Sequence, residues 1–587
     1  RDIGVTGVQT CALPIWAAGA AGAVAPEEGI AVGGFGAPDD PSPQPWSTAI
    51  GRTMAAARRV RETMSFNPCM ERSLEGPGFV STYDSSMARD DSDDLLIRDV
   101  RHDGGLLDLE IRDGRIASIR PAGDGDASLP AIDGGGGTVL PGFVDTHVHL
   151  VLAGTTMQQV DLARCPSRAE FTRRLAARAA TLPDDGPDSW LLGHGWLETD
   201  WADDEGAGLP DASWLADCGD RPVVCFKHDH HAVLVNEVVL RMLGDAACPP
   251  GGTIVRDADD RPTGLLLEAA AWRLVNPIVP RPSAEARRRT TIEATRHLAS
   301  LGITAVGSME YAEDMADVLD AIRDDLAVSV AVTMLDRELP IDEPLARLEV
   351  LAADDRLRLV GCKAFLDGTL GSRTAAMLAD YADRPGERGM LVELAERGEL
   401  MDWIEFVVRR GWRPSMHAIG DAAARLALDA CDHAEAIASV EGLATPAIRV
   451  EHCQTVDGSD IPRFAPANRF ASMQPTHMLD DGITVERSLG TGRLDGFFPF
   501  RGLHEAGGTL CFGSDWPIET PDPIEGIRVA VTGRDRSGRV VPGGRTVDVT
   551  TAIEAYTTNP RSALGLPRVA VEVGAPRSEE HTSELQS

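Results

Sequence analysis

The sequence predicts an α/β fold, a barrel of parallel strands that carries its chemistry at the strands' carboxyl ends. Three observations support this. Beyond residue 139, short apolar strand patterns alternate with helical patterns, as a parallel sheet with helical crossovers requires. Several of these strand patterns end in or beside a histidine, lysine or aspartate. The length of 587 residues exceeds an average domain, and barrels with insertions fill several hundred residues around one core.

Taken in order, the first stretch reads as something other than a fold element. Residues 5–15, VTGVQTCALPI, and residues 577–587, RSEEHTSELQS, can be spelled by opposite strands of one nucleotide string. Residues 1–15 and 577–587 are therefore expected to be translated sequencing adapter, and the secretory-signal look of residues 1–25 is set aside. Residues 16–86, rich in Ala, Gly and Pro, read as upstream DNA translated in frame or as a disordered tail. Met87 is the expected start, and the natural chain is expected to be interrupted near Pro576.

A small β segment follows over 87–138. Its strands are LLIRDV and LLDLEIRDGRIASIRP, with Asp113-Gly114 as a hairpin turn and Leu107, Leu109 and Ile111 alternating toward one buried face. It ends at the glycine run 134–137. Residues 139–150, VLPGFVDTHVHL, are an apolar run ending in His147 and His149, which leave a strand on the same side. Helices are predicted over 167–180 with Ser167 as N-cap, over 283–300 closed by Gly302, and over 310–324, 399–410 and 421–440. Strands are predicted between them over 304–308, 328–335, 357–365, 414–418, 447–452, 470–474 and 509–514.

Composition narrows the function. A net charge of −35 disfavours nucleic acid as a partner, because phosphates need basic patches. Ten cysteines without a CxxC pair fit reduced thiols in the cytoplasm better than a disulfide framework. No apolar stretch reaches the length of a membrane span. Of 56 basic residues only Lys227 and Lys363 are lysine, so both are candidates for work that a guanidinium does not do.

The polar groups at strand ends are His147 and His149, Lys363 in CKAFLDGTLGSRT, His417 in SMHAIGD, His452 in RVEHCQ and Asp515 in FGSDW. A lone polar group after a buried apolar run needs a partner, and one shared metal ion supplies a partner to all of them. The alternative, independent core residues each with its own hydrogen bond, must hold at five separate sites at once.

PGFVDTHVHL, DGTLGSRTAA, HAIGD, EHCQ, QPTH and FGSDWP, in this order between residues 95 and 576, resemble the amidohydrolase superfamily. The resemblance is to its branch amidohydrolase family 3, which includes N-substituted formamide deformylase. It implies a (β/α)8 TIM-like barrel with a small β-sandwich formed from both chain ends. The sandwich would take 87–138 and a truncated return at 556–576, and the barrel 139–555 with an insertion of about 155–300. It further implies metal ligation by His147 and His149 from strand one, His417 and His452 from strands five and six, and Asp515 from strand eight. Lys363 matches the strand-four position, where many members carry a carbamylated lysine bridging two metals. Carbamylation needs a neutral amine to attack carbon dioxide, which a buried lysine supplies and an arginine does not.

The implied activity is that of a metal-dependent amidohydrolase acting on C–N bonds other than peptide bonds, in amides such as N-formyl or N-acyl amines. The implied cofactors are one or two divalent ions, zinc first, with a carbamate on Lys363. Such ions lower the pKa of water to about 7, and the hydroxide attacks the amide carbonyl. Asp515 carries the proton to the leaving nitrogen, and His452 counts with it as catalytic. His231 in DHHAVLVN, Arg373 in GSRT and His477 in QPTH are substrate-binding candidates. A loop cap for His231 and a loop-carbonyl contact for Arg373 are the plainer readings. His194 and Trp196 in GHGW read as aromatic packing, and Lys227 has no assignment. Ala-Ile-Gly-Asp follows His417 where adenosine-type deaminases place a glutamate, which favours amide hydrolysis over a one-metal deaminase. A non-catalytic metal-binding or regulatory protein on the same scaffold is the remaining alternative. The expected partner is a small-molecule amide, with no nucleic acid and no membrane; a homodimer is left open.

Overall fold

The computed structural model describes residues 94–575, except 103, 183–188, 198–200, 202–208, 229–231, 250–251, 269, 338–340, 350, 352 and 544–545. The adapter and upstream stretches read from the sequence, and the candidate His231, lie outside the described residues. The chain divides into two compact units, one of residues 141–570 and one that joins 94–140 to 571–575.

The smaller unit is a four-stranded sheet of β1 (Leu95–His102), β2 (Gly105–Arg112), β3 (Arg115–Pro121) and β4 (Ala131–Asp133), in the order β3-β2-β1-β4. Asp113 and Gly114 both take positive φ, 50° and 68°, the backbone a tight hairpin turn needs. Leu109 and Ile111 are buried as expected, but Leu107 is only half-buried and the intervening Asp108 and Glu110 are buried as well, so both faces of β2 are covered. The chain returns to this sheet at its far end: Ile116 N donates to Ala575 O at 2.9 Å, and Gly574 N donates to Ile116 O at 2.8 Å. Among the described residues this unit holds one sheet, and its return begins at 571, not 556. Residues 556–566 serve the barrel instead, where Leu564 and Leu566 pack with Val144, Ala305 and Ala331.

The larger unit is a parallel eight-stranded barrel. Its first strand is β5 (Phe143–Val148). An insertion then forms a second sheet of β6 (Val160–Asp161), β7 (Leu191–Trp196), β8 (Val223–Lys227), β9 (Ala232–Val235), β10 (Gly252–Arg256) and β11 (Pro262–Glu268), ordered β10-β11-β9-β8-β7-β6. The insertion ends before 300, because helix Ala284–Ser300 already belongs to the barrel: its Ala294, Leu298 and Ala299 share a core with Val148, Leu150 and Ala153. The remaining barrel strands are β12 (Ile303–Glu310), β13 (Ser329–Met334), β14 (Leu357–Phe365), β15 (Arg413–Ala418), β16 (Ile448–His452), β17 (Arg469–Met473) and β18 (Thr509–Phe512).

These strands pair in sequence order, and the ring closes between β5 and the residues just after β18. Asp515 N donates to His147 O at 2.7 Å, and His149 N donates to Trp516 O at 2.8 Å. The Asp145 carboxylate reinforces this seam by accepting from His147 N, Ser514 N and Ser514 Oγ at 3.0, 3.1 and 2.6 Å. Ser167 caps its helix as predicted, accepting from Glu170 N, and Ser283 stands just outside the helix it was expected to begin and caps it, accepting from Ala286 N. The helix expected over 310–324 starts later and is irregular, because β12 runs on to Glu310 and a π turn at Met315–Leu319 interrupts the segment.

Candidate metal centre

The carboxyl ends of the barrel strands bring most of the sequence-derived candidates into one buried cluster. One donor atom each from His147, His452 and Asp515 lie within 4.8 Å of one another. Lys363 Nζ is 2.9 Å from His147 Nε2 and sits over the Phe365 ring. His149 Nε2 and His147 Nε2 face Asp515 Oδ1 at 3.3 and 3.4 Å. His417 packs edge-on against His452, with ring centroids 4.3 Å apart, but its Nε2 is turned to the Gly368 carbonyl oxygen at 3.2 Å. It therefore borders the three-donor group and stands outside it.

Backbone conformation explains how adjacent residues reach one site. Arg449 and Glu451 share the inward face of β16, where Arg449 Nε and Glu451 Oε1 pair at 3.1 Å. Strict alternation would send His452 outward. A left-handed φ of 72° at His452 breaks the alternation and turns its ring to 5.1 Å from that of His147. Asp515 is held the same way, at φ 61°. Non-glycine residues pay strain for this conformation, and such outliers gather at functional sites.

Two groups that sequence reading missed fix the cluster. Glu451 Oε2 is 2.9 Å from His147 Nδ1, so this nitrogen donates to the carboxylate and leaves the Nε2 lone pair facing Lys363 and Asp515. Glu451 also accepts from Ser415 Oγ at 2.6 Å. Asp367 accepts from the backbone N–H groups of Ala376, Ile419 and Gly420 and lies 3.6 Å from His417 Nε2. The signal for Glu451 was present: it stands two residues after Arg449 in an otherwise apolar strand, a pattern that pairs buried charges on one face.

Electrostatics prepares these groups as ligands. Burial, with Lys363 next, lowers His147 to about 4 and His417 to about 3, and burial drives His452 well below its usual range. All three imidazoles are neutral. Burial alone would raise Asp515, but His147 and His149 outweigh it and keep the carboxylate ionised. Burial lowers Lys363 to about 8. Neutral imidazoles and an ionised carboxylate are the protonation states that bind a divalent cation.

Unpartnered atoms point the same way. His452 Nδ1, Gln454 Oε1, Gln474 Oε1, Thr476 Oγ1, His477 Nε2 and Asp515 Oδ1 are buried without a hydrogen bond, all at the ends of β16, β17 and β18. Such a concentration fits a site built around a cation and a ligand.

The substrate-binding candidates separate. Arg373 is tied into its own loop: Nη2 binds Asp383 Oδ2 at 2.8 Å and Nη1 binds the carbonyls of Leu370 and Gly371 at 2.7 and 3.1 Å, the contact its plainer reading expects. His477 reaches the site, with Nε2 3.8 Å from Asp515 Oδ2. Trp196 packs in the insertion, stacked on Trp201, and its indole N–H donates to Cys225 O. His228 Nε2 meets Asp480 Oδ2 at 3.8 Å, and a donor atom of Glu519 lies within 4.8 Å of both. Arg536 pairs with both carboxylates and satisfies that second cluster.

A model of the Amidohydrolase family matches residues 131–576. The chain belongs to the amidohydrolase family. It is 32% identical over 449 residues to Protein LONG AFTER FAR-RED 3 of Arabidopsis thaliana, covering 72% of this chain and 74% of that one. It is 24% identical over 479 residues to the N-substituted formamide deformylase of Arthrobacter pascens, covering 77% and 85%. Among solved structures it superposes on an uncharacterized metal-dependent hydrolase from Pyrococcus furiosus with a TM-score of 0.60 and 25% identity, covering 83% of this chain and 98% of that one. Membership of the family, with this likeness, makes the chain a metal-dependent hydrolase. No helix among its described residues is long and apolar enough to cross a membrane.

Proposed function

We propose that the protein cleaves the C–N bond of a small amide, an N-formyl or N-acyl amine. One observation carries this reading: His147, His452 and Asp515 converge within 4.8 Å, with the Lys363 amine against His147. His147, His149, His452 and Asp515 would hold one divalent ion, with zinc suited to imidazole and carboxylate donors. Lys363, as a carbamate, and His417 would extend the set to a second. A divalent ion there supplies a Lewis acid and acidifies a water to about pKa 7.

The chain's own residues supply the rest. Asp515, ionised, accepts a proton at its carboxylate and returns one to the leaving nitrogen. Glu451 holds His147 in one tautomer, and the buried walls around Phe365 and Trp516 exclude bulk water. The name of the Arthrobacter relative supports an N-substituted amide as substrate.

The three-donor group suffices for one ion, and this favours a mononuclear deaminase as the second reading. Metal analysis and an amide screen separate the two. Two ions per chain and release of an amine with a carboxylic acid support amide hydrolysis; one ion and release of ammonia support the deaminase. Asp515→Asn is expected to retain metal and lose about 100-fold or more in kcat. A variant as active as its parent removes Asp515 from proton transfer.

A further inference from the structure

The two halves of the barrel mouth differ in kind. At the ends of β12, β13 and β14 stand Met309, Leu335 and Phe365, which pack into one buried cluster with Val392 and the half-buried Tyr311. Alternation places all three on the inner face. Phe365 comes two residues after Lys363, and Leu335 two after Thr333, whose hydroxyl takes the inner Arg449 at 2.6 Å. Met309 lies opposite Ser308 and Glu310, which accept from Leu150 N and Val151 N in the helix that follows His149. Phe365 brings this apolar wall against the metal centre: its ring centroid is 5.3 Å from that of His417 and 4.7 Å from Lys363 Nζ. The ends of β16, β17 and β18 are polar instead, and Gln474 and Thr476 keep buried oxygens there without a hydrogen bond.

Ring order decides which part of a substrate meets which wall. β14 is four strands from β18 in either direction, so Phe365 stands across the mouth from Asp515. Each is 8% exposed, Asp515 the most open of the metal-centre groups and Phe365 the most open of the four buried wall residues. In amide hydrolysis as proposed above, the leaving nitrogen takes its proton from Asp515 and so lies on the β18 side. The acyl substituent, on the other side of the carbonyl carbon, then points toward β14. Resting on that reading, we propose that Met309, Leu335 and Phe365 form an acyl subsite, and that the substrate is an N-acyl amine with an apolar acyl chain and a polar amine half. A formyl group has no carbon with which to cover this wall, whereas each methylene of a longer chain buried there gains about four-fold in affinity.

The test has a kinetic arm and a binding arm. Metal-loaded enzyme is assayed on the formyl, acetyl, butanoyl and hexanoyl amides of ethanolamine, and on the formamides of methylamine, butylamine and hexylamine. Along the acyl series kcat/KM is expected to climb by about four-fold per methylene, and along the formamide series to stay flat. Leu335→Trp, which fills the space before the wall, is expected to cut the hexanoyl-to-acetyl ratio of kcat/KM by about 10-fold or more. Leu335→Ala, which removes contact area, is expected to lower the same ratio by about 10-fold and serves if L335W does not fold. Calorimetry reads the subsite without turnover. The affinities of formate, acetate, butanoate and hexanoate, the acyl products, are expected to climb with chain length in the parent and to lose that slope in the Leu335 variants.

An acyl series that stays flat, or a formamide series that climbs as steeply, overturns the proposal. Carboxylate affinities that stay flat, or that climb equally in the parent and both Leu335 variants, overturn the subsite as well. A parent enzyme that turns over no amide, with carboxylate affinities that climb and depend on Leu335, defeats the amide reading alone and leaves the apolar subsite standing.

Discussion

His147 can offer one nitrogen to a metal only if the other is settled, and Glu451 settles it. Its carboxylate takes the Nδ1 hydrogen while Ser415 and Arg449 hold the carboxylate in place. Burial alone would raise Glu451, but Arg449 and His147 keep it well below the usual carboxylate range. Glu451→Gln is expected to weaken metal binding about 10- to 100-fold, read by titration against a competing chelator. It also leaves Arg449 buried without a counter-charge, so denaturant melts should show a loss of about 3–5 kcal/mol. Parent-like affinity in this variant would mean that something else orients His147. The ligand candidates were legible because each ends an apolar run. Glu451 was legible only through its spacing from Arg449, and its place beside His452 was not, since alternation assigns these neighbours to opposite sides. Only the left-handed backbone at His452 removes that conflict. Arg373 was legible in its plainer reading: a cation in a functional motif whose partners belong to its own loop.

At the level of elements, the barrel strands were readable from their apolar runs, and the long helices from their caps. The irregular segment after Glu310 was not. Glu310 Oε1 accepts from Val151 N and Ser308 Oγ, tying the end of β12 to the helix that follows His149, and this tertiary contact overrides local helix propensity. The pairing that closes the ring was equally hidden, because its strands come from opposite ends of the barrel sequence. Gly513 makes it possible: a Cβ there would lie 2.7 Å from Asp145 Oδ1 and 2.8 Å from His147 N. Gly513→Ala is expected to cost about 1–3 kcal/mol in denaturant unfolding, through displacement of β5. It should also weaken metal binding, since the displaced strand carries His147. Parent-like stability would show that the seam has slack.

For the whole molecule, the sequence conveyed a barrel with an insertion and a small β unit. It did not convey that the insertion builds a six-stranded sheet of its own, or that helices Val549–Tyr556 and Thr558–Leu564 complete the barrel before the chain turns back. Helices with plain apolar faces fit either unit until packing assigns them. Linkage gives a test at this scale. A cation that binds only the folded chain should stabilise it by about 2.7 kcal/mol when present at 100 times its Kd. Stripping the protein with a chelator should lower its melting temperature, and adding zinc should restore it; equal melting temperatures would place the ion outside the folded site.

The ring's seam gives this stabilisation its place. Asp145 and Ser514, which meet there, are 369 positions apart in the chain, and His147 and Asp515 are their near neighbours. An ion shared by those two side chains would staple strands that the unfolded chain holds far apart. Unlike a long-range disulfide it would let go on unfolding and leave the unfolded ensemble unconstrained, so it would hold the ring shut only while the chain is folded, in a protein whose described cysteines are all free.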